Sequence, residues 1–188
     1  DENLPAGHSD RTVVVKLYRP ELKPKDEVIA QLKHLSHPDL VQMRETGTWE
    51  DRFFEVLEYC PGGSMADHAP YTEDALKAYL AQILEGLHYC HSLRPQIVHR
   101  DVKPNNLLFR DRDHKDLVLT DFGISSVVEV PDDGGRHSRL AVRLTSTVGR
   151  MTIDYTAPEL LTWEDTAPVT EKVDYYSLGI TLSHLLTG

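Results

Sequence analysis

Cysteine is scarce in this chain. Cys60 and Cys90 are the two among 188 residues, too few for a disulfide framework and suited to a reducing cytosol, so a cytoplasmic location is expected. Long apolar runs are also missing. The most apolar stretch, near the end, is broken by Ser177, Thr181, Ser183 and His184, and no signal peptide is visible at the start, so no membrane span is expected within these residues. Basic residues are outnumbered, with 20 Lys and Arg against 30 Asp and Glu, for a formal charge of -10. That balance argues against a broad nucleic-acid or anionic-membrane surface and permits basic substrates, although a diffuse acidic surface is the plain alternative. Glycine is thin at the front, where Gly7 alone precedes Lys16. Repeats, low-complexity tracts and interdomain linkers are absent, and a content of 40% hydrophobic and 27% charged residues is ordinary for a globular chain.

The pattern of what is present reads as α+β. Thr12 to Tyr18 is β-branched and predicts a strand, with three valines before Lys16 implying burial. Val28, Ile29, Leu32 and Leu35 recur at helical spacing from Lys25, and His37-Pro38 closes that helix. Strands are expected over Glu45 to Trp49 and Arg52 to Tyr59 across a tight charged turn. Pro61-Gly62-Gly63 then breaks the pattern. Thr72 is a candidate N-cap, with Glu73 and Asp74 favouring the positive end of a helix that carries Leu76, Tyr79, Leu80, Ile83, Leu84 and Leu87 on one face to about His91. His88, Cys90 and His91 lie close together on it, but without a second ligand pair they read as structural rather than zinc-binding. Asn106 to Phe109 and Leu117 to Thr120 form a strand pair across a polar turn, and Val173 to Leu186 is a mostly apolar helix expected to be buried on several sides.

One run carries chemistry: His99-Arg100-Asp101-Val102-Lys103-Pro104-Asn105-Asn106-Leu107-Leu108, followed by Asp121-Phe122-Gly123. Transfer of a γ-phosphoryl group needs a hydroxyl held in line, divalent metal on the phosphate oxygens and a fixed positive charge. Asp101 can accept the hydroxyl proton and Lys103 can balance phosphate charge. Asn106 and Asp121 offer the hard oxygen ligands that Mg²⁺ prefers. Pro104 helps hold the loop between them in a non-helical shape.

With these motifs the chain resembles a eukaryotic-type serine/threonine protein kinase over nearly all its length. Val13-Val14-Val15-Lys16 is similar to the strand with the ATP-anchoring lysine, and Leu57-Glu58-Tyr59-Cys60-Pro61-Gly62-Gly63-Ser64 to the gatekeeper and hinge. Ala157-Pro158-Glu159 and Val173-Asp174-Tyr175-Tyr176-Ser177-Leu178-Gly179 resemble the motifs after the activation segment. The resemblance implies a bilobal fold, a small, mostly β lobe over residues 1–60 and a larger, mostly α lobe over 61–188, truncated at both ends. It implies ATP with Mg²⁺ or Mn²⁺, and a protein substrate with a Ser/Thr acceptor, an acceptor class supported by Lys103. Asp101, Lys103 and Asn106 would be catalytic, Asn106 and Asp121 would hold metal, and Lys16, Leu57, Glu58, Cys60, Leu108 and Asp121 would bind nucleotide, with Val14 beside Leu108 on the adenine faces. His99 would be structural, in an apolar column with Phe122, Leu32 and Met43.

The match is imperfect in four places. Glu27 is the candidate partner of Lys16, but it stands one residue early, a helical rotation of about 100°, and Asp26 and Glu21 remain alternatives. A glycine-rich phosphate cover is missing before Lys16, and the sequence ends at Gly188, before the family's last large-lobe helices, as either a fragment or a minimal kinase would. The usual Gly-Thr pair is split into Gly149-Arg150-Met151-Thr152, with Thr152 expected to contact Asp101 and Lys103. Arg100 would pair with phosphate on the activation segment, where Ser138 and Thr152 are candidates and Thr145, Ser146 and Thr147 are the favoured cluster, modified by the protein itself. Competing readings are a non-catalytic pseudokinase or nucleotide-binding regulatory module, and a small-molecule phosphotransferase. The intact Asp101, Asn106 and Asp121 argue against the first, and Ala157-Pro158-Glu159 against the second.

Overall fold

The computed structural model describes residues 12–19, 23–123, 125–128, 152–161 and 169–188. Strands β1 (Val13–Leu17), β2 (Met43–Trp49) and β3 (Arg52–Glu58) form an antiparallel sheet in the order β1-β3-β2, and helix α1 (Asp26–Leu32) lies between β1 and β2 in sequence. The β2–β3 connection is short because Glu50 and Asp51 both take positive φ, 47° and 60°, the backbone sense that matches the twist of a hairpin.

Burial of β1 differs from expectation. Val14 is 41% and Val15 61% exposed. β-branched residues favour extended backbone without requiring burial, and β1 has β3 as its single partner among the described strands, so it is an edge there. Helix α1 buries Val28, Ile29 and Leu32 and stops three residues before Leu35. Its end tightens into three-residue turns, with His34 N donating to Gln31 O at 3.0 Å and Leu35 N to Leu32 O at 3.1 Å.

The larger lobe is built on α2 (Glu73–Ser92) and α3 (Lys172–Thr187), with β4 (Gln96–Val98), β5 (Leu107–Phe109), β6 (Leu117–Leu119) and β7 (Ser126–Val128) as two short antiparallel pairs, β4 with β7 and β5 with β6. Thr72 caps α2, its hydroxyl accepting from Ala75 N at 3.3 Å. Leu76, Ile83, Leu87 and Cys90 of α2 join Leu107, Phe109, Leu117 and Leu119 in the main core, which also takes in Val28 and Leu32 of α1. Leu84 is 37% exposed, being rotated about 100° from Ile83. Tyr79 and Gln82 of α2 donate to the carbonyls of His114 and Lys115, which fixes the turn between β5 and β6.

Helix α3 buries Val173, Asp174, Ser177, Leu178, Thr181 and Leu185 but leaves Tyr175, Tyr176 and Leu186 exposed, so among the described residues it is covered along one face rather than on several sides. Both cysteines are free and buried, and loss of water pushes the Cys60 thiol up to about 11 and that of Cys90 to about 12. No helix among the described residues is long and apolar enough to cross a membrane.

The lobes meet at Cys60 to Ser64. Gly62 N donates to Phe109 O at 3.0 Å and Phe109 N to Gly63 O at 2.8 Å, which stitches the crossing segment to β5. A Cβ on Gly62 would come within 2.2 Å of the Asp111 carbonyl oxygen and 2.5 Å of Phe109 Cβ. Neither can move without disturbing β5. Gly62→Ala should therefore cost about 1–3 kcal/mol, as overpacking does, and lower the melting temperature by roughly 2–4 °C for each kcal/mol. An unchanged melting point would show that the crossing segment is looser than this packing implies.

Candidate active site

The loop after β4 is organised from below by one carboxylate. Asp174 on α3 is fully buried and accepts from His99 N at 2.9 Å, Arg100 N at 2.6 Å and His91 Nε2 at 2.8 Å. Thr181, two turns on, donates to Val102 O at 3.2 Å. Arg100 takes a left-handed φ of 71°, a conformation a bulky side chain adopts when its surroundings fix it. The residue is 3% exposed, and loss of water brings its guanidinium down to about 10, against the pull of Asp174. The His99 ring bridges forward, its Nδ1 accepting from Asp101 N at 3.2 Å and its Nε2 donating to Thr120 O at 2.9 Å, and it packs edge-on against Phe122.

Three side chains converge on Asp101. Lys103 Nζ donates to Oδ2 at 2.7 Å, Asn106 Nδ2 donates to Oδ2 at 2.9 Å and to the main-chain oxygen at 2.8 Å, and Thr152 Oγ1 donates to Oδ1 at 3.3 Å. Lys103 also donates to Thr152 Oγ1 at 2.7 Å, so Thr152 sits between the two. With its amide nitrogen spent on Asp101, Asn106 has its side-chain carbonyl oxygen as the atom to face a cation.

Lys16 crosses the cleft to form an ion pair with Asp121 Oδ1, and its ammonium lies 4.8 Å from the centre of the Tyr18 ring. Burial would raise the Asp121 carboxyl, but Lys16 and the Gly123 amide outweigh it and hold the group below the usual carboxylate range. Asp121 itself has a φ of 67°. A Cβ on Gly123 would lie 3.0 Å from Asp121 Oδ1, 3.2 Å from the Tyr18 hydroxyl and 3.4 Å from Lys16 Nζ, so these groups gather around a residue with no side chain.

Glu27 is not among them. Its carboxylate is 60% exposed and 3.9 Å from Lys25, and Asp26 pairs with Lys23 at 2.5 Å. The physical reason is the helical offset: Val28 and Ile29 take the inward face of α1. Glu21 lies outside the described residues, as do Ser138, Thr145, Ser146, Thr147, Gly149, Arg150 and Met151.

Lys16, Val14, Leu57, Glu58, Cys60, Asn106, Leu108 and Asp121 all line one open cleft of about 460 Å³ between the lobes. Apolar walls with a charged end suit a flat base attached to phosphates. Glu58 N already donates to Gln42 O at 3.0 Å, so a base edge would meet Glu58 through its carbonyl. Among the described residues, no cluster of three His, Cys, Asp or Glu could hold a metal alone. One carboxylate and one amide oxygen beside a phosphate site is the sparser set that Mg²⁺ accepts, because it retains water and phosphate ligands.

A family model described as a protein kinase domain matches residues 7–188. The chain belongs to the protein kinase domain family. It is 33% identical over 161 residues to protein kinase 3 of Dictyostelium discoideum, covering 84% of this chain and 17% of that protein. It is 32% identical over 188 residues to CBL-interacting protein kinase 32 of Oryza sativa, covering 94% of this chain and 39% of that protein. The same holds at 33% over 165 residues for CBL-interacting serine/threonine-protein kinase 3 of Arabidopsis thaliana, with 85% of this chain and 34% of that protein covered. The chain thus spans well under half the length of these relatives.

Two residues of this kinase domain escaped the sequence reading. Arg110 grips the Glu58 carboxylate through Nε and Nη2, both at 3.0 Å, reaches Asp116 at 2.9 Å, and donates to the carbonyls of Pro38 at 2.9 Å and Leu40 at 3.2 Å. It ties the hinge, the loop before β2 and the β5–β6 turn together. Burial works against its charge, but the Glu58 and Asp116 hydrogen bonds win and raise its pKa. The second is Glu55 on β3, 3% exposed, with Tyr18 OH donating to Oε2 at 3.0 Å and Oε1 without a hydrogen-bond partner among the described residues. An acid inside a strand that otherwise reads Phe53, Phe54, Val56 and Leu57 was the available signal.

Burial raises the Glu55 carboxyl above its ordinary value of 4.5, with Lys16 and Tyr18 pulling it down and Asp121 pushing it up. The folded chain therefore holds this proton more tightly than the unfolded chain does. Its contribution to stability is present below 4.5 and is lost as pH rises through the folded pKa. Glu55→Gln, which keeps the Tyr18 acceptor, should melt higher than the parent at neutral pH, with the gain vanishing well below 4.5. A gain of the same size at every pH would contradict this assignment.

Proposed function

We propose that this kinase domain transfers the γ-phosphoryl group of ATP to a serine or threonine hydroxyl of a protein substrate, with Asp101 as the base. The observation that carries the reading is the Asp101 carboxylate, held by Lys103 and by Asn106, the latter lining the cleft together with Asp121 and Lys16. Its Oδ1 makes the longer contact, 3.3 Å to Thr152, and is the oxygen an incoming hydroxyl can take over. Asp101 accepts the proton as the hydroxyl oxygen bonds to the γ-phosphorus and the bond from that phosphorus to the β–γ bridging oxygen breaks, leaving ADP. Lys103 is close enough to Asp101 to balance charge on the transferred group. Lys16 anchors the α- and β-phosphates, the Glu58 and Cys60 main chain meets the adenine edge, and Leu57, Leu108 and Val14 enclose its faces. Mg²⁺ or Mn²⁺, held by Asn106 and Asp121, neutralises phosphate charge when bound.

The same reading assigns Arg100 to a phosphate on the activation segment, added by the protein itself, and a cytoplasmic setting with no nucleic-acid partner and no membrane contact within this segment. A nucleotide-binding module without chemistry would have no use for the three side chains gathered on Asp101. Asp101→Asn preserves size and should lower kcat by roughly two to four orders of magnitude while leaving nucleotide affinity nearly unchanged. Turnover equal to the parent's would overturn the assignment of the base.

A further inference from the structure

The amine of Lys16 needs a counter-charge that stays in place when Asp121 turns to other work. Asp121 supplies that charge in this structure, yet the proposed function also assigns Asp121 to metal. Helix α1 does not bring Glu27 to the amine, and its inward face is apolar. On the neighbouring strand, however, Glu55 stands directly opposite Lys16 in the β1–β3 register. Directly opposed residues of an antiparallel pair project from the same face with Cβ atoms about 4.5–5.5 Å apart, well within the combined reach of Lys and Glu. Tyr18, two residues along β1 and on that same face, fixes Oε2 and places its ring against the Lys16 ammonium.

The second oxygen, Oε1, is buried with no partner among the described residues. Glu55 also lines a small cavity of about 20 Å³ with Leu32, Met43, Leu57, Asp121 and Phe122, immediately behind the cleft. An unpartnered carboxylate oxygen in such a place costs several kcal/mol unless a charge or water meets it. An apolar residue would fill the position at no such cost, so the acid needs a reason.

We propose that Glu55, rather than an acid on α1, is the positioning residue that holds Lys16 against the nucleotide phosphates. The cross-strand opposition of the two residues stands on its own geometry, and its consequence for nucleotide binding rests on the function proposed above. As Asp121 is drawn towards metal and phosphate, Lys16 turns to the open Oε1 of Glu55, and Tyr18 keeps the carboxylate from rotating away.

The test is a double-mutant cycle on the full chain, Lys16→Met with Glu55→Gln, read in melting temperature without nucleotide, together with Mg-ATP affinity by calorimetry. Lys16→Met should lower the melting temperature of the parent by several degrees more than it lowers that of Glu55→Gln, because in the parent it strands a buried carboxylate. Glu55→Gln alone should weaken Mg-ATP binding about tenfold or more while melting no lower than the parent, a combination that a merely structural role does not produce. Equal losses in both backgrounds would overturn the pair and leave Oε1 to a water in the adjoining cavity. Coupling of Lys16 to Glu27→Gln instead would overturn it as well. Coupling to Glu55 with unaltered Mg-ATP affinity would overturn the positioning role. A parent that binds no nucleotide but shows the coupling would support the pair and sink the kinase function.

Discussion

A carboxylate with no exposure to water cannot remain in a protein interior by itself, and the surroundings of Asp174 obey that constraint. Its oxygens are satisfied by two main-chain amides and one imidazole. The dependence runs the other way too. Without Asp174, the amides of His99 and Arg100 would lose this acceptor at about 1–3 kcal/mol each, and the left-handed turn at Arg100 would lose a bond that offsets it. Helix α3 thereby sets the path of the loop after β4, the loop positions Asp101, and the His99 ring passes the constraint to Thr120, the residue before Asp121.

Above that rigid base the cleft holds charge less comfortably. Lys16 and Asp121 reach across from opposite lobes, while Glu55 sits in an apolar strand with one oxygen bare. A sequence chosen for stability alone would place a hydrophobic residue at Glu55, and retention of an acid there fits the wider trade between stability and activity. Arg110 works in the opposite sense. Its guanidinium satisfies two carboxylates and two carbonyls with planar, largely bidentate geometry, so the junction of the lobes is tied by hydrogen bonds where Gly62 and Gly63 provide little side-chain packing.

Features set by neighbours in sequence were readable in advance. The Thr72 cap, the β5–β6 hairpin, the Pro61-Gly62-Gly63 break and the loop bearing Asp101 depend on local spacing, and the resemblance to a kinase family followed from motif order. Features set across the fold were not. Three valines predict a strand but not its place in the sheet, which is why β1 is more exposed than its composition suggests. An offset of one residue in α1 turned Glu27 outward, and a count along the helix could raise that question without answering it. Asp174 stood inside a recognised motif without its role being visible, because its donors come from residues 75 and 83 positions away. Arg110 looked like an ordinary turn residue for the same reason, since its hinge partner Glu58 is 52 positions distant.

On the function proposed above, Asp121 and Asn106 make this cleft a metal-dependent nucleotide site, with Asp121 exchanging its bond to Lys16 for one to the cation. The most direct measurement is calorimetric titration of ATP into the parent and into Asp121→Asn, each with and without Mg²⁺. The account predicts that Mg²⁺ tightens ATP binding to the parent and has little effect on the variant. Equal affinity for ATP in all four titrations would contradict it.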